Sequence, residues 1–479
     1  MRKEGKEPLF CGVDIGTSST KIALFSSEGR MLYRSAAASD SHAVQSQQIW
    51  ATFLRAWNTV PNIWKKEIQA LCFVGHGPTI VPLISEQEDK GSESPVMGWW
   101  ANPPADLLAW AHSRGFDPQI APVMAKLVAW KNQSGSAPSK PIALLQPTDF
   151  LAYRCTGIVA NSSFPVPGFL PWSPEALDTM GLKDWFTAPR CIPAGEVIGG
   201  ISKPALEELG LRKDAVVVSG CPDFAAALLG TATIEDGLLC DRGGSSQGVT
   251  LCCKKRIQPP GLVATPFFIP GYWKISGMMN TTGSALQWFC AQVASIPIDG
   301  LDALLFDQNR PSPILFIPYL SGERSPHWDP EASGGFLGLR MEDTPQRMAL
   351  SIMETVGYQI RQIVRLMEGA GGVVREIRST GGQARSDLWN QIKADVLGRP
   401  VVVGTSPESE LLGAAILAIA GFSESDPFTL SQTFYAPAKT FIPNQSLHKR
   451  YNTLFHEFSL LYPEQKTRFE RLARFRKSQ

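Results

Sequence analysis

The chain lacks a net charge, a long apolar run and any cysteine pattern, and each absence excludes a class of function. Its 45 Lys and Arg residues oppose 44 Asp and Glu, leaving +1, so no basic field draws it to nucleic acid or an anionic membrane. The longest apolar stretch, Leu411 to Gly421, falls well short of the roughly 20 residues that cross a bilayer as a helix. Nine cysteines are scattered without a Cys-x-x-Cys, and Cys252 and Cys253 are adjacent. Such a set reads as reduced thiols filling core space, and no His/Cys spacing suggests zinc. Met1 to Pro8 is charged and leads almost at once into a strand, unlike a signal peptide. A cytoplasmic, soluble protein is expected. No low-complexity linker is visible either, although 479 residues exceed what one core usually supports, so two closely apposed domains are expected.

What is present is an alternation of strand-like and helix-like segments. Strands are expected at Cys11 to Val13, Ile22 to Leu24, Ala70 to Val74, Val81 to Ile84, Ala215 to Ser219, Gly248 to Cys252, Ile314 to Pro318, Ile377 to Ser379 and Val401 to Val403. Helical patterns cover Gln48 to Lys66, Ala105 to Arg114, Phe224 to Leu229, Thr344 to Glu368 and Ser386 to Leu397. This mixture argues for α/β lobes, with a break at Ser219-Gly220 that separates residues 1–219 from 220–479. From about residue 422 a polar tail with helices at Tyr451 to Leu461 and Thr467 to Arg476 is expected to form an outer layer.

One motif occurs twice. Asp14-Ile-Gly16-Thr17-Ser18-Ser19 lies between two apolar strands, and Asp241-Arg-Gly243-Gly244-Ser245-Ser246 repeats it. Laid over residues 14–24, the second copy keeps the Asp, the first Gly, both Ser residues and a Leu. Glycine lets backbone approach a phosphate closely, and turn N–H groups with hydroxyls can cradle anionic oxygens. A hairpin used twice suggests two related lobes facing one nucleotide.

Three further segments can carry chemistry. Val216 to Gly230 is a buried strand, a turn and an apolar helix, with Asp223 at the helix mouth. Asp223 suits a helix N-cap and equally a general base that accepts a substrate hydroxyl proton. Gly381-Gly382-Gln383-Ala-Arg-Ser386 follows a short strand and opens a helix, where two glycines let a ring or ribose lie on the backbone. Thr281-Thr-Gly283 opens another helix.

Together these segments resemble the FGGY-family carbohydrate kinases of the actin-like superfamily, and xylulokinases above all, from about Leu9 to Phe422. Asp14-x-Gly-Thr-Ser resembles the family's first phosphate motif, Gly243-Gly-Ser245 the second, and Gly381 to Ser386 the adenosine motif. Ile317 to Pro330 and Gly335 to Leu339 are highly typical, as is Arg347 to Glu354 apart from Arg347 itself, where a polar or acidic residue is usual. The resemblance implies two actin-like (ribonuclease H-like) lobes, with ATP in a cleft between them and a sugar or polyol on the N-terminal side. It makes Asp223 the catalytic base and places Mg²⁺ on Asp14 and Asp223. It places ATP against Gly16, Thr17, Ser18, Gly243, Gly244, Ser245, Gly283, Gly381, Gly382, Gln383 and Ser386. The protein would be a monomer or homodimer.

Departures cluster on the substrate side. The family's Trp-x-Asp-x-Arg pattern reads here Trp99-Trp100-Ala101-Asn102-Pro103, and the acidic residue after Leu-Thr-Gly is absent from Cys155 to Ser163. His76-Gly77-Pro-Thr79 retains a xylulokinase-like element, and His76 suits either a sugar hydroxyl or a structural hydrogen bond. His76, Gly77, Trp99 and Asp223 are the expected substrate residues. On the nucleotide side Gly244 stands where a Thr is usual, a loss of one hydroxyl worth on the order of 1 kcal/mol. The leading expectation is therefore an ATP-dependent sugar or polyol kinase with xylulose as first candidate. A catalytically weak relative that binds ATP and a ligand as a sensor is the alternative, and an actin- or chaperone-like ATPase a third.

Overall fold

The computed structural model describes residues 7–39, 45–84, 95–98, 100–116, 120–164, 170, 172–406 and 408–478. The chain forms two compact units, Met1–Gly230 with Ser409–Phe434, and Thr231–Glu408 with Tyr435–Gln479.

In the first unit β1 (Leu9–Ile15), β2 (Ser19–Ser26), β3 (Met31–Ala38), β4 (Ile68–Gly75), β5 (Val197–Gly200) and β6 (Val216–Val218) form one sheet in the order β5-β6-β4-β1-β2-β3. The first three strands are an antiparallel meander, β4 and β6 run parallel to β1, and β5 closes the edge antiparallel. Strand periodicity sorts β2 between two layers. Ile22 and Leu24 pack with Ile49 and Phe53 of helix Ser46–Trp57, while Ala23 and Phe25 pack with Leu411, Leu412, Ala415 and Ile416 of helix Ser409–Ser423. That second helix is apolar all round because it is buried throughout from Ser409 to Ala420. Gly413 lets it approach helix Asp223–Gly230 closely, since a Cβ there would sit 2.0 Å from the Ala226 carbonyl oxygen.

The second unit repeats the plan. β7 (Leu238–Gly243), β8 (Gln247–Cys253), β9 (Val263–Pro266), β10 (Trp273–Met279), β11 (Glu376–Thr380), β12 (Val401–Gly404) and β13 (Pro437–Phe441) lie in the order β9-β10-β8-β7-β11-β12-β13. Again an antiparallel meander meets two parallel strands and then an antiparallel edge. Leu239, Val249, Leu251 and Ile275 pack with Ile352, Met353, Val356 and Ile360 of helix Pro345–Gly369.

Four expectations need correction. The division is not a single cut at 219/220: helix Asp223–Gly230 and the returning segment Ser409–Phe434 belong to the first unit, because they pack on its sheet and on each other. The helical pattern of Gln48 to Lys66 is broken at Pro61 into Ser46–Trp57 and Asn62–Lys65. The tail contributes the edge strand β13 and one continuous helix, Gln445–Lys477, whose Tyr451, Phe455, Phe458, Leu461 and Phe469 are buried. Finally, the repeated hairpins differ in length. Asp14 faces Lys21, whereas Asp241 faces Val249, one residue further along, so Leu24 and Leu251 do not correspond. No described helix is long and apolar enough to cross a membrane.

Candidate active site

In the first unit the chemistry-bearing residues gather at the carboxyl ends of the parallel strands, where open α/β sheets present ligand sites. β1 carries Asp14 and runs into the turn Gly16-Thr17-Ser18, closed by the Gly16 N–H on the Ser19 carbonyl at 2.9 Å. β4 ends at Gly75, and the next N–H, that of His76, donates to the Ile15 carbonyl at 3.1 Å. Beyond β6, a single parallel bridge pairs Pro222 with Gly75, which brings the following residues, Asp223 and His76, alongside one another.

Asp223 is not the N-cap of its helix. The Pro222 carbonyl accepts the Ala225 and Ala226 N–H groups and so opens the helix, while Asp223 Oδ1 accepts the Phe224 N–H at 2.6 Å. Asp223 is therefore the first residue of the helix rather than the residue that precedes it. The half-buried His76 has its pKa lowered by burial, and the negative charge of Asp223 acts in the opposite sense. Its Nδ1 lies 3.2 Å from Thr79 Oγ1, and its ring meets the Trp100 ring edge-on at 5.7 Å.

His76 lines a pocket together with Gly16, Thr17, Thr20, Ser39, Gln48, Thr52, Thr79 and Trp100. The described lining combines these hydroxyl groups and the Gln48 amide with the apolar side chains of Ile15, Ile49, Val96 and Pro147, and none of it carries a formal charge. Several of these residues escape a motif search. Gln48 and Thr52 are one turn apart on an amphipathic helix, a signal the pattern did contain. Trp99 lies outside the described residues; its neighbour Trp100 lines the pocket. Ala101, Asn102 and Gly77 are exposed. The loop is tethered by Lys126, whose Nζ donates to the Gly98 carbonyl at 2.7 Å, and burial pushes this amine down to about 8.

Asp14 pairs across its hairpin with Lys21, Oδ2 to Nζ 3.6 Å. Among the described residues no group of three or more metal-ligating side chains occurs. Mg²⁺ does not require one, because it binds through one or two carboxylates, substrate phosphates and water.

In the second unit the three glycine segments converge. The Gly283 N–H donates to the Gly244 carbonyl at 3.1 Å, and the Ser284 N–H to the Ser245 carbonyl at 3.1 Å. Gln383 Nε2 bridges the Gly244 carbonyl and Thr282 Oγ1 at 3.2 and 3.1 Å. A Cβ on Gly283 would lie 2.3 Å from the Gly244 oxygen, and one on Gly381, at φ +83°, 2.5 Å from the Gly243 oxygen. Only glycine fits this arrangement, which leaves Gly244 and Ser245 exposed as a bare turn. Gly382 begins a short 3₁₀ turn behind it. Ser386 caps helix Asp387–Leu397 by accepting the Trp389 N–H at 2.9 Å, and it donates to the Asp302 carboxylate at 2.7 Å.

Two similar sheets, each opening on a glycine-rich hairpin, agree with the comparisons. Residues 243–422 match the model of the FGGY family of carbohydrate kinases, C-terminal domain. That match covers the C-terminal domain, and the whole chain is similar to carbohydrate kinases. It is a carbohydrate kinase with two actin-like lobes. Gluconokinase of Bacillus subtilis is 26% identical over 93% of this chain and 94% of its own. Xylulose kinase of the same organism is 22% identical over 98% and 99%. The fold matches that of ligand-bound xylulose kinase from Lactobacillus acidophilus with a TM-score of 0.81, covering 97% of this chain and 100% of the other at 20% identity.

Proposed function

We propose that this kinase transfers the γ-phosphoryl group of ATP to a hydroxyl of a small neutral sugar or polyol, a ketopentose such as xylulose first, with Asp223 as general base. The observation that carries this reading is the bridge between Gly75 and Pro222, which sets Asp223 beside His76, a histidine that lines the pocket with Gly16 and Thr17. Asp223 accepts the proton of the attacking hydroxyl, the task of a general base in phosphoryl transfer. His76 and Trp100 orient the sugar, while Thr17, Gln48 and Thr52 supply neutral hydrogen bonds to its hydroxyls. Trp99 and Gly77 complete the substrate side of the reading.

The turn that follows the buried Gly243, with Gly244 and Ser245 exposed and Gly283 packed against it, lets phosphate oxygens approach the backbone closely. Gly381, Gly382 and Gln383 support the adenosine, with Ser386 closing that segment. Gly16, Thr17 and Ser18 play the phosphate role in the first unit. Asp14 with Asp223 would hold Mg²⁺, which offsets charge on the transferred phosphoryl group. Nine cysteines with no disulfide suit a cytoplasmic setting.

Relatives of this chain bear the names of both gluconokinases and xylulose kinases. A carboxylate substrate is best met by a cation, and the described lining supplies none. The neutral substrate is therefore preferred. ATP consumption across ketoses, polyols and aldonic acids tests the reading: a response to ketoses or polyols supports it, and a response to gluconate alone moves the substrate to the sugar acids. ATP turnover unchanged by every sugar would favour the ligand-sensing alternative.

A further inference from the structure

A second cavity, of about 310 Å³, opens in the second unit at the C-terminal end of helix Asp387–Leu397. The glycine turns lie at the other end of this helix, which at 1.5 Å per residue is about 16 Å away. Arg361, Arg365, Arg399, Glu368 and His448 line the cavity. Three guanidinium groups thus face one carboxylate, and Glu368 is already engaged by Arg399 at 2.7 Å.

The two remaining arginines share one aromatic neighbour. The guanidinium groups of Arg361 and Arg365 stand 4.5 and 4.6 Å from the centre of the Phe455 ring. Arg361 is only 7% exposed; its Nη2 donates to Asn452 Oδ1, while its buried Nη1 has no partner. Leaving a charged donor unmet in the interior is costly, so the site is incomplete as it stands.

Arginine near a helix C-terminus ordinarily satisfies the last carbonyls. Here that work is done otherwise: the Ala394 carbonyl accepts the Gly398 and Arg399 N–H groups at 2.8 and 3.3 Å, and the Asp395 carbonyl lies 2.9 Å from His448 Nδ1. Arg399 Nη1 donates to the Val374 carbonyl at 2.9 Å as well as meeting Glu368, so the guanidinium groups of Arg361 and Arg365 are the ones left for another acceptor, and their donors suit phosphate oxygens.

We propose that this cavity binds a small molecule through a phosphate or pyrophosphate group held by Arg361, Arg365 and Arg399, at a site separate from the nucleotide turns. Calorimetric titration of the full chain with inorganic phosphate and with pyrophosphate, in the presence of saturating ADP, tests it. Pyrophosphate binds the wild type, and Arg365→Glu and Arg399→Gln each weaken that binding by about tenfold or more, with ADP affinity unchanged. Arg474→Glu, an exposed change of equal charge on the C-terminal helix, leaves pyrophosphate binding intact. Should Arg399→Gln fail to fold, the exposed Arg365 carries the test alone. Absence of binding to the wild type at millimolar pyrophosphate, binding unchanged in Arg365→Glu, or an equal loss in Arg474→Glu would each overturn the proposal.

Discussion

Asp241 and Lys393 form a buried ion pair, with Oδ2 2.6 Å from Nζ. Gln247 Nε2 and Ser379 Oγ also donate to this carboxylate. Asp14, the corresponding residue of the first hairpin, pairs with Lys21 at 3.6 Å, and that lysine side chain is 27% exposed. One sequence motif therefore serves two purposes. In the second unit the aspartate ties β7 to helix Asp387–Leu397; in the first it pairs with a partly exposed lysine of its own hairpin.

Substitution separates the two roles. Asp241→Asn leaves Lys393 buried and unpaired, and thermal unfolding should show a loss of about 3–5 kcal/mol. Asp14→Asn should unfold within about 1 kcal/mol of wild type, since Lys21 can turn to water. Its phosphorylation rate should nevertheless fall sharply. Equal destabilisation by the two changes would refute this division of labour.

Glu354 supplies a pH-dependent term. It is buried, accepts the Tyr451 hydroxyl at 2.8 Å and the Ser312 N–H at 3.0 Å, and burial raises its pKa from 4.5 to about 8. The folded protein thus keeps a proton that the unfolded chain releases above pH 4.5. The stability this gives is full below pH 4.5 and is lost as pH rises towards 8, by up to about 1.4 kcal/mol per unit. Glu323, raised to about 7, acts in the same sense. Melting temperatures measured from pH 5 to 9 should fall less steeply in Glu354→Gln than in wild type. Parallel curves would show that Glu354 is ionised in the folded state throughout.

Much of this architecture was legible from local pattern. The nine expected strand segments all fall on observed strands or their immediate borders, because buried strands read as short apolar runs whatever surrounds them. The twofold hairpin was legible for a similar reason, since a turn needs glycine and small hydroxyl residues within a few positions. What stayed hidden depends on distant segments. Nothing around Leu411 announces that its helix returns to the first unit, and no local signal shows that Asp241 meets Lys393. The extra residue in the second turn is invisible to an ungapped alignment, and only pairing reveals it. At the site, Asp223 reads equally well as an N-cap until the Pro222 carbonyl is seen opening the helix.

The substrate loop yields a third prediction. Ala101 and Pro103 stand where relatives with the Trp-x-Asp-x-Arg pattern place charged groups, and Ala101 is exposed. A sugar hydroxyl left without a partner costs about 1 to 3 kcal/mol, so xylulose should be used with a high KM. The double change Ala101→Asp with Pro103→Arg should lower that KM. If wild type has a low KM for xylulose and the double variant raises it, this loop does not limit substrate binding.

The central claim is that Asp223 removes the proton from the attacking hydroxyl. The most direct measurement is the rate of sugar-dependent ADP formation by Asp223→Asn, taken alongside its affinity for MgATP and its melting temperature. The account predicts a fall in rate of at least about 10²-fold, with folding intact and nucleotide still bound. Turnover near that of the wild type would contradict it and return Asp223 to a purely structural role at the head of its helix.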